Sequence, residues 1–364
     1  MKRTPLMLRN KSTLSLQVGF SLVEILVGLI IGLLATLVIM QVFSVFEGQK
    51  RSTTGSSDAQ TSGGIGLYAI ARDLQMAGYG LLPVGDTAIT CDAPVVSAAA
   101  TASGVPNASP LSPVIITDGG GGASDSIAIR YGDSPIAGTP MTISAITGSD
   151  VTVDNNLGCE TGIGIILTSQ TTCNITTITG TSNMPASGVI SLGDTTGAVA
   201  TTSLACLGRW TNNDYAVNAG NLELNGDPII TGIVSIQAQY GISATANSNL
   251  VTQWKDATAG GDWDAATITT ANRNRIKAVR IALVARNGLL EKEDVSATCS
   301  SYTTDAPTGV CAWSGTSSGT NPASDAPTLT LSNDADGTSW KRYRYRVFET
   351  IIPLRNVIWS KGVL

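Results

Sequence analysis

A single carboxylate, Glu24, stands at the start of a long apolar segment, and its position needs a chemical explanation. Residues 25–46 contain no charged residue and no proline. At a rise of ~1.5 Å per residue, a helix over residues 20–46 would be roughly 40 Å long, enough to cross a bilayer. A carboxylate held in lipid costs at least about 2.5–3.5 kcal/mol, so Glu24 predicts a nearby cation that pairs with it.

Six cysteines form the second group of reactive side chains, and all of them follow the apolar segment. None lies in a C-x-x-C spacing, and the chain has no histidine, which makes a zinc site a poor interpretation. An even number of cysteines beyond a membrane segment predicts disulfides, each stabilising the fold by about 2–4 kcal/mol. Fifteen pairings of six cysteines are possible. Closure of short loops favours Cys159–Cys173 and Cys299–Cys311, which leaves Cys91–Cys206.

Enzymatic chemistry finds little support in the sequence. Without histidine, the Ser-His-Asp, Cys-His and histidine-ligated metal sites are excluded, and no phosphate-binding or nucleophile-elbow motif occurs. Asp262 and Asp264 lie in a Gly-Gly-Asp-Trp-Asp segment, which is typical of a turn. Asp334 and Asp336 resemble half of a calcium loop whose closing glutamate is missing, so looser calcium binding stays open. We predict no enzyme, no cofactor and no dedicated metal site.

Composition indicates an exported protein that is rich in β-structure. Only 13% of residues are charged and 39 are glycine. Short β-favouring runs separated by turn residues are predicted at residues 126–131, 141–146, 151–154, 164–168 and 188–192. Longer strands are predicted at 229–242, 276–286 and 342–354, and loops at 243–275 and 295–340. The predicted fold class is α+β, with a long N-terminal helix packed on an antiparallel, β-rich domain that carries insertions.

The helical signal continues beyond the apolar segment but weakens before it recovers. Residues 47–64 are rich in Gly, Ser and Thr, so we expect fraying or a hinge there. Leu67, Ile70, Leu74 and Ala77 then recur at helical spacing and form one apolar face, which ends at Gly78.

Two further patterns leave alternatives open. Gly28 and Gly32 are four residues apart, a spacing that lets another helix approach closely in lipid but that is also common in membrane helices generally. Arg342, Arg344 and Arg346 share one face of the last predicted strand, which is either a stripe that binds a partner or an ordinary solvated sheet face.

The stretch Gly19-Phe20-Ser21-Leu22-Val23-Glu24 and the apolar segment after it resemble the signal of type IV prepilins. The resemblance implies that a prepilin peptidase cleaves between Gly19 and Phe20 and that Phe20 becomes N-methylated. It also implies that Glu24 contacts the N-terminal amine of a neighbouring subunit, while Gly28 and Gly32 serve helix packing. The implied parts are a leader (1–19), a transmembrane and assembly helix (20–46), its periplasmic half (47–80) and a β-rich domain (81–364). Within that domain, residues 81–228 form the variable part and residues 229–364 the core sheet and C-terminal strands.

Residues 71–79, 279–287 and 348–356 are similar to segments of PilW-type minor pilins. This resemblance implies a minor pilin that primes type IV pilus assembly and sits in a tip complex, supporting twitching motility, adhesion or DNA uptake. The implied partners are other minor pilins, the major pilin, a PilY-type tip adhesin, prepilin peptidase and an inner-membrane assembly platform. The implied location is the inner membrane, with the C-terminal domain periplasmic, and then the pilus. Without the leader the chain carries 18 basic and 27 acidic residues, a balance that argues against nucleic-acid binding.

Two alternatives remain at this stage. A J-type minor pseudopilin of a type II secretion system would share the helix and the sheet, although such proteins are usually shorter. A membrane-anchored binding or adhesive domain would share the anchor alone.

Overall fold

The first element of the described residues is one long helix, α1, which spans Leu22–Met76. The computed structural model describes residues 19–81, 91, 94–106, 110–167, 173–182, 188–300, 308–313, 329–331 and 339–359. Two compact units divide the chain, Met1–Thr53 and Thr54–Leu364. The first unit contains the apolar part of α1. The second unit, which we name the head, contains the rest of α1 and the described strands.

Within the head, α1 is helical through the segment that was expected to fray. Its buried positions there include Gly55, Ala59, Gly63 and Gly66, which recur every three to four residues and so lie along one face. The prediction of fraying at residues 47–64 is therefore wrong, whereas the boundary between the two units lies within the segment predicted to contain a hinge. Packing against the head overrides the low helix propensity of glycine, as tertiary contacts commonly do.

The small residues of α1 give room to side chains from the sheet. A Cβ atom at Gly63 would overlap the ring of Phe348, and one at Gly55 would overlap the side chain of Asn287. A Cβ atom at Gly66 would lie 2.8 Å from a methyl group of Leu283. The glycines thus allow the helix to lie directly on the sheet.

The sheet beneath α1 is antiparallel and has four strands in the order β14-β13-β15-β16. Its strands are β13 (Ile233–Ser243), β14 (Val251–Lys255), β15 (Ile276–Arg286) and β16 (Tyr345–Pro353). The prediction for β15 is confirmed at both ends. The last strand was predicted at 342–354, but β16 begins at Tyr345, because a 3-10 helix, Ser339–Arg342, precedes it. Short helices α3 (Thr270–Arg273) and α4 (Arg355–Trp359) flank this sheet.

A second antiparallel sheet of five strands packs beside the end of α1, in the order β12-β11-β10-β3-β2. Its strands are β2 (Val114–Thr117), β3 (Ser126–Tyr131), β10 (Thr211–Asn218), β11 (Asn221–Leu224) and β12 (Asp227–Thr231). The predicted strand 229–242 is broken at Gly232, whose φ of 83° sends β12 and β13 into different sheets.

A buried carboxylate of α1 joins the helix to this second sheet. Asp73 is 2% exposed and accepts hydrogen bonds from the Tyr215 hydroxyl at 2.7 Å and from Asn213 Nδ2 at 2.6 Å. These hydrogen bonds reduce the free-energy cost of burying the Asp73 carboxylate.

The third sheet closes into a six-stranded antiparallel barrel inserted between β3 and β10. The strands follow the order β7-β6-β9-β4-β5-β8, and β8 pairs again with β7. They are β4 (Pro140–Thr147), β5 (Asp150–Val153), β6 (Gly162–Leu167), β7 (Cys173–Thr181), β8 (Gly188–Leu192) and β9 (Ser203–Gly208). A short parallel strand, β1 (Val95–Val96), joins β7, and helix α2 (Ala98–Ala102) follows it.

The barrel has its own core and also shares in the main one. Inward residues such as Ile143, Val151 and Ile190 form a separate buried cluster. Residues of β6, β7 and β9, including Ile165 and Ile175, belong instead to the cluster that contains the buried face of α1.

Two of the three predicted disulfides are wrong. The bonds join Cys91 to Cys173, Cys159 to Cys206, and Cys299 to Cys311. The register of β6 and β7 explains the error, because Leu167 lies opposite Cys173, whereas Gly162 lies opposite Ile178. Cys159 precedes Gly162 and therefore sits at the far end of the hairpin from Cys173. Cys206 of β9 pairs with Gly164, which brings it to the Cys159 end of β6.

The predicted fold class is confirmed by these elements: a long N-terminal apolar helix and an antiparallel β-rich domain.

Candidate assembly interface

Glu24 lies in the first turn of α1 and is exposed. Ser21 precedes the helix, and its side-chain oxygen accepts a hydrogen bond from Val23 N at 3.4 Å. Ser21 O accepts another from Glu24 N at 3.0 Å. A carboxylate at this position is favoured by the partial positive charge of the helix N-terminus. Glu24 thus lies one turn after Phe20, at the start of the helix. The described residues of this helix place no basic side chain beside the Glu24 carboxylate.

The apolar part of α1 is exposed on all sides. An 18-residue window of this helix has a mean hydropathy of 2.8 and is 0% buried, and by length and composition it could cross a membrane. Phe20 is 77% exposed and Met40 is 74% exposed. A helix that is apolar all round belongs in a membrane or inside an assembly of other helices. This surface is the candidate interface.

Gly28 and Gly32 form a notch on that surface. A Cβ atom built on either glycine would meet no atom within 4 Å. The notch is therefore open within the described part of the chain, and its use in helix packing stays a prediction. The predicted leader lies outside the described residues except for Gly19, and the structure does not test its cleavage.

The other predicted residues lie in the head and not at this interface. The six cysteines are paired as given above. Arg344 and Arg346 are exposed, whereas Arg342 lies in the 3-10 helix and donates from Nε to the carbonyl oxygen of Glu291 at 2.7 Å. Asp264 accepts hydrogen bonds from Gly260 N and Ala266 N, which lower the pKa of its carboxyl group and identify it as a turn residue. The residues from Asp334 to Gly337 lie outside the described part.

Metal binding finds no support in the described residues, where no three His, Cys, Asp or Glu side chains are placed to hold an ion. An open groove is lined by Asp118, Asp125 and Asp256 together with Gln237. Asp125 has both carboxylate oxygens occupied by backbone N–H donors, from Gly119 at 3.1 Å and Ala238 at 2.8 Å. It therefore serves to bind a loop to β13.

Two features of the head were missed by the sequence analysis. Asp73 was not singled out, since its partners Asn213 and Tyr215 are 140 residues or more away along the chain. Leu289 and Leu290, which are 37% and 47% exposed, were not singled out. Two adjacent leucines directly after a Gly at the end of a strand were the available signal.

Residues 195–356 match the family model of PilW, described as type IV pilus-assembly protein W. The match supports a PilW-type pilin. It begins after β8, ends within α4, and includes the predicted resemblances at residues 279–287 and 348–356. The matched region is less than half of the chain, and it shows that residues 195–356 are similar to a family of type IV pilus-assembly proteins.

The chain is also similar to a solved structure, a type IV-like pilin from Thermus thermophilus, with 10% sequence identity and a TM-score of 0.32. That alignment covers 83% of this chain and 96% of the other. No curated protein matches the chain.

Proposed function

We propose that this chain is a minor pilin that primes type IV pilus assembly and then sits in a tip complex with other minor pilins. The single observation that carries the proposal is the PilW match over residues 195–356. The exposed apolar helix with Glu24 in its first turn supports it, because such a helix needs either lipid or other helices around it.

Assembly in this proposal proceeds without bond chemistry by the chain itself. Prepilin peptidase cleaves between Gly19 and Phe20, and the new amine of Phe20 becomes N-methylated. Glu24 then pairs with the amine of a neighbouring subunit, which compensates the cost of holding each charge in an apolar environment. Gly28 and Gly32 admit a second helix, and the apolar surface passes from lipid to other pilin helices.

The proposed partners are other minor pilins, the major pilin, a PilY-type adhesin and the inner-membrane assembly platform. The proposed location is the inner membrane with a periplasmic head, followed by the pilus tip. Twitching motility, adhesion or DNA uptake would depend on the assembled fibre.

The test is a comparison of Glu24→Ala with wild type in a strain that lacks the native gene. We expect Glu24→Ala to abolish surface pili while the protein remains processed and present at the wild-type level. Glu47→Ala is the matched control, because Glu47 lies on the same helix and pairs with Arg51 of its own chain. We expect it to leave piliation unchanged.

Three results would change the proposal. Normal piliation of Glu24→Ala would contradict it. Impaired protein secretion with normal pili would favour the pseudopilin. Labelled chains spaced along purified pili would contradict the tip position.

A further inference from the structure

Charge is separated within the head. Residues 81–208 contain nine acidic residues and one basic residue, Arg130. This segment therefore accounts for most of the net charge of residues 20–364, which is −9. Arg130 is 5% exposed and donates to Asn212 Oδ1 at 2.9 Å and to the carbonyl oxygen of Pro110 at 3.1 Å. Its burial lowers the pKa of its guanidinium to about 10. Residues 81–208 are therefore acidic, and the exposed basic side chain next to them, Arg209, directly follows β9 and pairs with Asp133.

The opposite charge gathers around one end of the sheet beneath α1. Residues 286–296 and 341–346 together contain six basic and three acidic residues, a local excess of three positive charges. Three of the basic residues are arginines of the segment that leads into β16: Arg342, Arg344 and Arg346. We name these two segments the basic end.

The basic end lies where α1 enters the head. Arg346 Nη2 donates to Ser56 Oγ at 3.4 Å, and Asn287 occupies the space over Gly55. The barrel connects to the rest of the head beyond the other end of α1. There, Gly132 N donates to the carbonyl oxygen of Tyr79 at 2.8 Å. Ser56 and Met76 are twenty residues apart on one helix, so about 30 Å of helix separates the two regions.

Two exposed leucines stand within the basic end. Leu289 and Leu290 occupy the loop that follows β15, and Leu289 N donates to Asn287 Oδ1 at 2.8 Å. The loop is bonded to the arginine segment: Glu291 N donates to the carbonyl oxygen of Arg342 at 2.9 Å. Arg344 Nε contacts Glu291 Oε1 at 2.9 Å, so the acidic residue nearest the leucines is ion-paired while the Arg344 side chain stays 48% exposed. Glu293 and Asp294 are the remaining acidic residues of this end.

We propose that the basic end docks on anionic phospholipid headgroups of the membrane that holds the apolar helix. Leu289 and Leu290 enter the boundary between headgroups and acyl chains, and Arg342, Arg344 and Arg346 bind the phosphates. Exposed apolar side chains on a loop bonded to an arginine-rich segment suit such a boundary, and basic clusters beside a membrane anchor are attracted to anionic lipid.

Chain connectivity favours lipid over a separate protein as the occupant. Ser56 follows Phe46, the last residue of the apolar segment, by ten residues, so the anchor keeps the basic end at a high local concentration near the bilayer. An anionic membrane surface repels the acidic barrel. The inference rests on the proposed membrane anchoring of residues 20–46.

Hydrogen exchange of the full chain in nanodiscs tests the proposal. One nanodisc contains phosphatidylcholine, and the other also contains phosphatidylglycerol. We expect amides of residues 288–292 to exchange about tenfold more slowly in the anionic nanodisc, and the difference to disappear in high salt. Amides of the barrel serve as an internal reference and should exchange equally in both.

Variants separate the two contributions. Leu289→Ser with Leu290→Ser, and Arg344→Gln with Arg346→Gln, should each abolish the protection. The matched controls are Leu250→Ser, at a leucine that is 72% exposed elsewhere, and Arg209→Gln, at an arginine whose side chain is 88% exposed beside the barrel. Both controls should retain the protection.

Equal exchange in the two nanodiscs would overturn the inference, as would protection that appears only when another pilin is added. Neither result affects the proposed function, which depends on Glu24 and piliation. Conversely, lipid-dependent protection in a chain whose Glu24→Ala variant still forms pili would support the inference and contradict the proposed function.

Discussion

Asp125 shows how burial can tune a single side chain. Its residue is 5% exposed, and both carboxylate oxygens accept backbone N–H groups. Loss of water around the carboxylate, which the two hydrogen bonds only partly offset, raises its pKa from 3.8 to about 7, and the neighbouring Asp118 and Asp256 add to the rise.

We expect this pKa to make the fold less stable as the pH rises. A group whose pKa is higher in the folded state stabilises that state fully below its unfolded pKa, near 4, and the contribution is lost as the pH rises through about 7. Urea denaturation of the full chain in detergent micelles should therefore give a larger free energy of unfolding at pH 5.5 than at pH 8. The slope attributable to Asp125 should not exceed about 1.4 kcal/mol per pH unit.

The chain suits this measurement because it contains no histidine, the residue that ordinarily titrates in this range. Asp125→Asn is the control and should flatten the pH dependence between pH 5.5 and 8. A free energy of unfolding that rises with pH in the unaltered chain would show that Asp125 does not behave as the structure indicates.

At the residue scale, sequence reasoning found what depends on local pattern. Glu24 is visible because it interrupts an apolar segment, and the cysteines are visible by type. The environment of Asp125 is not visible, because the loop that carries it meets Ala238 of β13 across 113 residues. In the sequence, Asp125 cannot be distinguished from any other Asp in a Gly- and Ser-rich segment.

At the scale of elements, α1 depends on its neighbours for stability. The adjacent residues Gly63 and Gly64 lie on different sides of the helix: Gly63 is buried against Phe348, whereas a Cβ at Gly64 would meet no atom within 4 Å. The same chemical change at these two positions should therefore have opposite effects.

We expect Gly63→Ala to destabilise the fold by about 1–3 kcal/mol, because the ring of Phe348 must move. Gly64→Ala should stabilise it by about 0.5–1 kcal/mol, because alanine loses less backbone entropy in a helix. Denaturant titrations of the two variants measure the difference. Effects of the same sign would mean that the helix does not lie on the sheet as described.

Some strands were predicted with the right bounds, whereas others, among them the apolar β2 and the polar β10, were missed. The predicted bounds of β3, β8 and β15 agree with the structure. The strand β10 begins Thr-Asn-Asn-Asp, residues that favour turns, and β7 is rich in threonine. Both are strands because neighbours on either side bond to them, which is a tertiary cause that a local pattern does not contain.

At the scale of the whole molecule, the disulfides connect distant parts of the chain. Cys91 and Cys173 are 82 residues apart, whereas Cys299 and Cys311 are 12 residues apart. Loop length alone predicted two wrong pairs, because strand register decides which cysteines meet. The right pairing needed the topology of the barrel.

Digestion without reduction should yield linked peptides that contain Cys91 with Cys173 and Cys159 with Cys206. Replacing both Cys91 and Cys173 by Ala should lower the free energy of unfolding by about 4–5 kcal/mol, against about 3 kcal/mol for Cys299 and Cys311, since longer loops release more entropy in the unfolded chain. Mass spectrometry checks the pairing and denaturation checks the order. A larger loss for the shorter loop would contradict the entropic explanation.

The second pairing of β7, with β8 as well as β6, has a consequence for how crowded copies of this protein behave. Every strand of the barrel has a hydrogen-bonded neighbour on both sides. An open sheet with the same strands, rich in Ile, Val and Thr and poor in charge, would present unpaired backbone groups that recruit another chain and seed fibrillar aggregation. Ring closure removes that template, so the strands most prone to amyloid-like stacking can be packed at high density without polymerising through their backbones.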